Sequence, residues 1–168
     1  MRSLVKRLFA TAAAAAVIPA AMVVSASTAS ADTPYRSIST PAGAMCLDIP
    51  RGTTDNHAPV QIYYCNGGTN QQWIYRPTSV PGYGQLVNVA SGSCADVPRN
   101  DLADLAPVEQ YVCGASSANQ MWSFDPASGQ LRALHSGKCL TISSYAYKSK
   151  TFQYSCGIAY SQRWQLNV

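Results

Sequence analysis

The chain has 168 residues, with twelve Lys/Arg against eight Asp/Glu and a formal net charge of +4. Arg2, Lys6 and Arg7 stand in an N-terminal leader without acids, so the remainder has nine basic against eight acidic residues, net +1. Those nine are scattered with no stripe to neutralise phosphates, which excludes a nucleic-acid partner; Lys148-Ser149-Lys150 is a local cluster explained by a solvated loop.

After the basic start comes an Ala/Val-rich apolar run from Leu8 to Val24, then Ala29-Ser30-Ala31. A charged n-region, an apolar h-region and an A-x-A site identify a secretory signal peptide over residues 1–31, cut after Ala31. The run is about 17 residues long and contains Pro19, short of the roughly 20 apolar residues that span a bilayer. No cysteine lies near the cut, which argues against a lipid anchor. The product is expected to be secreted and extracellular, with no membrane span. Residues 32–34 read as a short disordered tail.

From residue 35 the sequence repeats. Gln-x-Trp occurs at Gln71-Gln72-Trp73, Gln120-Met121-Trp122 and Gln162-Arg163-Trp164, and these hold the only tryptophans of the chain. The six cysteines fall ahead of them in pairs, Cys46 and Cys65, Cys94 and Cys113, Cys139 and Cys156. Tyr63, Tyr111 and Tyr154 each stand two residues before the second cysteine. This is a threefold repeat with a period of about 45 residues, with units over 35–76, 77–123 and 124–168 of one domain, 32–168. In an oxidising compartment the cysteines form a disulfide framework, and the repeat selects one bridge per unit. Metal ligation is excluded by spacing, since no pair has the two-to-four-residue gap of a zinc site and His57 and His135 share no repeat position.

Helix signals are nearly absent. Short runs such as Val60–Tyr64, Gln85–Val89, Gln130–Leu134, Lys138–Ile142 and Thr151–Tyr154 are bounded by turn residues, which predicts an all-β barrel or sandwich with four strands per unit. Arg76–Gly84 is an insertion in a surface loop. Ile38, Leu86 and Leu131, each eight residues before the first cysteine of its unit, form the core with Trp73, Trp122 and Trp164. Each buried indole N–H requires an acceptor.

Positions that recur but need not are better candidates for function. After the first cysteine the units read Cys46-Leu47-Asp48-Ile49, Cys94-Ala95-Asp96-Val97 and Cys139-Leu140-Thr141-Ile142. Strand alternation points each acid away from the apolar face. Before the second cysteine come Gln61-Ile62-Tyr63, Glu109-Gln110-Tyr111 and Phe152-Gln153-Tyr154; before the tryptophan come Asn70-Gln71, Asn119-Gln120 and Ser161-Gln162.

Paired cysteines, Cys-x-Asp, Gln-x-aromatic and Asn-Gln-x-Trp together resemble the ricin-type β-trefoil lectins, a family that also includes bacterial xylan-binding modules. The resemblance covers essentially all of 32–168. It implies a β-trefoil, a six-stranded barrel capped by three hairpins, with one potential sugar pocket per unit. It also implies roles: the Asp accepts from two adjacent sugar hydroxyls, the aromatic lies under the sugar's apolar face, and Asn and Gln complete the polar contacts. Carried over, the first pocket comprises Asp48, Gln61, Tyr63, Asn70 and Gln71. The second comprises Asp96, Glu109, Tyr111, Asn119 and Gln120, where Glu109 replaces an amide and adds a second negative charge beside Asp96. The third unit has Thr141, Phe152 and Ser161 at the specifying positions and keeps only Tyr154 and Gln162, so its role is to complete the barrel.

The expected function is therefore a secreted, non-catalytic, monomeric carbohydrate-binding protein for galactose- or xylose-type sugars, with no cofactor and with a separate secreted hydrolase as a partner. A glycosidase would need two carboxyls about 5–5.5 or 6.5–9.5 Å apart; Asp48 and Asp96 lie in different units, leaving Asp96 with Glu109 as the only same-pocket pair. A β-trefoil hydrolase inhibitor acting through the Arg76–Gly84 loop, or an accessory module of a secreted glycoside hydrolase, is the alternative.

Overall fold

The computed structural model describes residues 31–35 and 37–168. Apart from Ala31, the leader assigned to residues 1–31 lies outside the described residues. The first repeat contributes β1 (Thr33–Tyr35), β2 (Ser37–Ser39), β3 (Met45–Asp48), β4 (Gln61–Tyr64) and β5 (Trp73–Pro77). The second contributes β6 (Gly84–Asn88), β7 (Cys94–Asp96), β8 (Glu109–Tyr111) and β9 (Met121–Asp125). The third contributes β10 (Gln130–Ala133), β11 (Cys139–Ile142), β12 (Thr151–Tyr154) and β13 (Gln165–Asn167).

The fold is an all-β trefoil. Strands β2, β5, β6, β9, β10 and β13 form the barrel wall, with antiparallel ladders β5–β6, β9–β10 and β13–β2. Hairpins β3–β4, β7–β8 and β11–β12 form the cap. A disulfide ties each hairpin, Cys46–Cys65, Cys94–Cys113 and Cys139–Cys156, with Cα separations of 5.0, 5.1 and 5.1 Å. Residues expected to be a disordered tail instead form most of β1. Thr33, Pro34 and Tyr35 pair with Tyr75, Ile74 and Trp73, just as β6 reaches across to β9 through Gly84↔Trp122. The backbone groups of this segment thus satisfy an edge that would otherwise be unpaired.

Strand alternation sorts the hairpin residues into two faces. Leu47 pairs with Ile62 and points into the core, while Asp48 pairs with Gln61 on the opposite face. Trp73, Trp122, Ile38, Leu86 and Leu131 have no solvent exposure, and Trp164 has 2%. Each indole N–H donates to a backbone carbonyl of the same repeat: Trp73 to Leu47, Trp122 to Ala95 and Trp164 to Leu140, all at 3.0 Å. Those carbonyls belong to the residue before Asp48, Asp96 and Thr141, so the core tryptophan anchors the strand that presents the specifying position.

The three hairpins meet in a ring of backbone hydrogen bonds. Val60 N–H donates to Val108 O (3.0 Å), Val108 N–H to Thr151 O (3.1 Å), and Thr151 N–H to Val60 O (2.9 Å). One step outward each repeat also pairs with the next. His57 N–H donates to Gln110 O (2.9 Å), Leu105 N–H to Gln153 O (2.9 Å) and Lys148 N–H to Ile62 O (2.8 Å). All three donors have left-handed backbones, with φ of 67°, 69° and 65°.

The β5–β6 hairpin, the predicted insertion, is held by Thr78 N–H and Oγ1–H donating to Tyr83 O at 3.0 and 2.9 Å. The Tyr75 ring lies on Gly84, where a Cβ would fall 2.5 Å from the ring, and its hydroxyl donates to Trp122 O at 3.1 Å. Overpacking there costs roughly 1–3 kcal/mol. Gly84→Ala is therefore expected to lower the unfolding free energy measured in urea by that amount, as a lower midpoint at an unchanged m-value, and combining it with Tyr75→Leu is expected to recover part of the loss.

Candidate functional site

Each of the first two repeats buries a carboxylate on its outer face and surrounds it with amides. Asp48 is 3% exposed. It accepts from Gln61 Nε2 at Oδ1 (2.8 Å), and from Asn70 Nδ2 (2.6 Å) and Gln71 Nε2 (3.2 Å) at Oδ2. Asp96 is 5% exposed and accepts from Asn119 Nδ2 (2.8 Å) and Gln120 Nε2 (2.9 Å). A buried ionised carboxylate needs such donors, because leaving it unpaired costs several kcal/mol.

The amides are themselves fixed. Asn70 also donates to Ile49 O (3.0 Å) and Asn119 to Val97 O (2.9 Å). Gln71 donates to Tyr64 O (3.0 Å) and accepts from Asn66 N–H (2.9 Å). Gln120 does the same between Val112 O (3.0 Å) and Gly114 N–H (2.8 Å). Gln162 repeats that pattern between Ser155 O (3.0 Å) and Gly157 N–H (2.7 Å), but its third contact is the Thr141 hydroxyl at 3.2 Å. The third repeat thus keeps the glutamine clamp without a carboxylate, and Phe152 packs edge-on against Tyr154 with centroids 6.4 Å apart.

Two cavities open beside the carboxylates. The first, about 480 Å³, is lined by Asp48, Pro50, Arg51, Gln61, Tyr63, Asn66 and Lys148. The second, about 390 Å³, is lined by His57, Asp96, Arg99, Tyr111, Ser117, Asn119 and Gln120, among others. Of the residues expected in the first pocket, Asp48, Gln61 and Tyr63 reach the cavity, while Asn70 and Gln71 stand behind Asp48 and orient it. In the second, Asp96, Tyr111, Asn119 and Gln120 reach it. Glu109 does not line it.

The second negative charge expected beside Asp96 is present at Glu109, and it has a neighbour that the sequence did not indicate. His57, from the first repeat, contacts Glu109 Oε1 through Nδ1 and packs on Tyr111 with centroids 5.0 Å apart. Asp96 nevertheless sits above the ordinary carboxylate value. Burial is the main cause, opposed by the Gln120 hydrogen bond; Glu109 raises it further, and His57 and Asn119 lower it.

Sequence reasoning missed Arg51, Arg99, His57 and Lys148. Arg51 and Arg99 occupy equivalent Pro-Arg turns, Pro50–Gly52 and Pro98–Asn100, with left-handed φ of 56° and 57°. The signal was the shared Asp-x-Pro-Arg, which the third repeat lacks. His57, Leu105 and Lys148 each stand eight residues before the second cysteine of their unit, so their equivalence was visible in the spacing although their side chains differ.

The geometry agrees with comparisons to known proteins. The sequence pattern of the ricin-type beta-trefoil lectin domain-like family matches residues 23–111 and 69–146. The chain belongs to this family. Its fold superposes on the designed 3-fold symmetric protein ThreeFoil with 33% identity and a TM-score of 0.73, covering 80% of this chain and 98% of that one. It is also similar to 1,3Gal43A, an exo-beta-1,3-galactanase from Clostridium thermocellum (29% identity, TM-score 0.72), covering 81% of this lectin-family chain but only 30% of the galactanase. The hemolytic lectin CEL-III matches at 26% identity and a TM-score of 0.64 over 79% of this chain and 29% of that one. No curated protein matches.

The raised Asp96 value has a direct test. In a 13C NMR titration the Asp96 carboxyl is expected to take up its proton at a pH above the ordinary aspartate range. His57→Ala removes a group that lowers it and keeps Glu109, which raises it, so the midpoint is expected to move upward. A downward move would contradict this charge arrangement.

Proposed function

We propose that the protein is a secreted, non-catalytic carbohydrate-binding protein whose first two repeats each hold one sugar. The observation that carries this reading is the covariation of fold and site. All three repeats keep the disulfide, the buried tryptophan and the clamped glutamine. Only the first two combine a buried, amide-held carboxylate with a cavity walled by a tyrosine.

A sugar matches that arrangement. Vicinal hydroxyls donate to the open lone pairs of Asp48 or Asp96, Gln61 or Asn119 supplies the complementary groups, and the apolar sugar face leaves water against Tyr63 or Tyr111. The carboxylates are rigid acceptors rather than reacting groups. Asp48 is engaged by three amide donors, and in the second repeat Glu109 is engaged by His57 and turned away from the cavity wall. This supports binding without catalysis.

The sugar is of galactose or xylose type, and the similarity to part of a galactanase favours the former. That same partial coverage supports a role beside a secreted hydrolase, with the lectin holding the polysaccharide. The protein acts as a monomer. Two pockets on one rigid body gain roughly 10²–10⁴ in avidity on a repetitive glycan.

Polysaccharide pull-down with the form beginning at Asp32 tests this. Asp48→Ala and Asp96→Ala are each expected to weaken retention at least tenfold and the pair to abolish it. Tyr63→Ala with Tyr111→Ala leaves the buried amide networks intact and is expected to give the same loss with an unchanged far-UV CD spectrum. Undiminished retention by both double variants would reject the site.

A further inference from the structure

Two residues of the first cavity, Arg51 and Lys148, lie outside the amide-held carboxylate and tyrosine on which the sugar-binding reading rests. Both are exposed cations. Among the described residues neither has a carboxylate within ion-pair distance; the ion pairs there are His57–Glu109, Arg76–Asp32 and Lys138–Asp104. The only acid lining the cavity is Asp48, whose charge is buried and dispersed over three amide donors.

Lys148 reaches this cavity from the third repeat. Its left-handed backbone and its hydrogen bond to Ile62 O set it next to β4, the strand that carries Gln61 and Tyr63. Ile62 N–H returns a bond to Ser149 O at 2.9 Å, so the register is held on both sides. Its ammonium lies 5.3 Å from the centre of the Tyr147 ring. That ring stacks on Tyr64 (centroids 5.9 Å, 15° between planes) and meets Tyr63 edge-on at 6.1 Å. The side chain is thereby placed in the cavity lining with Tyr63.

The second cavity provides the contrast. His57 holds the position equivalent to Lys148, but Glu109 stands where the first repeat has Gln61 and engages it. There the side chain contributed by the neighbouring repeat is paired within the protein. In the first cavity the equivalent residue, Lys148, shares the lining with the amide Gln61 and has no ion pair among the described residues.

We propose that the first pocket selects a saccharide bearing an anionic substituent, a carboxylate or a sulfate ester, and that Lys148, delivered by the third repeat, is the selecting residue. The proposal rests on the sugar-binding reading of that pocket. Arg51, which also lines the cavity, adds a planar donor suited to either oxyanion. Because both cations are exposed, the preference is salt-sensitive.

The test is a glycan array carrying matched neutral, uronate and sulfated versions of the same oligosaccharides. It is probed with a Tyr111→Ala form in which the second pocket is silenced. Acidic members are expected to bind roughly tenfold tighter than their neutral partners at low ionic strength, with the gap closing at high salt. Lys148→Gln is expected to bring acidic glycans to the level of their neutral partners, and Lys148→Glu to place them below it. Whether carboxylate or sulfate members lead identifies the anion.

Equal binding of acidic and neutral members, insensitive to Lys148→Gln but lost in Tyr63→Ala, would overturn the proposal and leave the sugar pocket standing. Absence of binding to every glycan would remove the sugar-binding reading and the proposal together.

Discussion

The structure depends on a three-membered ring of backbone hydrogen bonds, Val60 to Val108 to Thr151 and back to Val60. Each bond joins one hairpin to the next, and all three residues are buried. A hairpin alone is marginally stable in water, and each one here is tied by its own disulfide. The ring converts three such hairpins into a single cap. It also fixes which residue of each repeat lies against the neighbouring β4, β8 or β12 strand, and so places His57, Leu105 and Lys148.

The Gln-x-Trp tripeptide links this frame to the pockets. Tryptophan fills the barrel and donates to the carbonyl before the specifying residue. Glutamine, two positions earlier, spans the turn around the second cysteine and reaches the specifying residue from the other side. One tripeptide therefore sets the position of Asp48, Asp96 or Thr141 through both the core and the surface. Removing the acid, as at Thr141, leaves that frame intact, because the Thr141 hydroxyl still meets Gln162. The two demands are separable, and the third repeat shows them separated.

Much of this was legible from spacing alone. Tryptophan, cysteine and tyrosine are large or reactive residues whose recurrence stands out, and they mark the core, the staples and the aromatic walls. The acids followed from strand alternation, although alternation could not show that Asp48 and Asp96 are buried beneath amides from a turn more than twenty residues away. The short N-terminal strand was missed because its pairing with β5 is a long-range contact that Thr33-Pro34-Tyr35 does not announce. Lys148 and His57 were missed for another reason. Their importance lies in a left-handed backbone at a position where the three repeats share no side chain, and each serves a pocket in a different repeat. The partner of Glu109 was missed on the same account, since His57 lies 52 residues away.

That arrangement bears on how such a protein can diversify. A pocket here is assembled at a junction, with its floor from one repeat and part of its rim from another. Duplicating one repeat copies a floor with the wrong rim, and exchanging a repeat alters two junctions at once. The unit on which variation acts is therefore the closed ring rather than the 45-residue period visible in the sequence. The third repeat has no carboxylate at the specifying position, yet through Lys148 it still lines the first cavity.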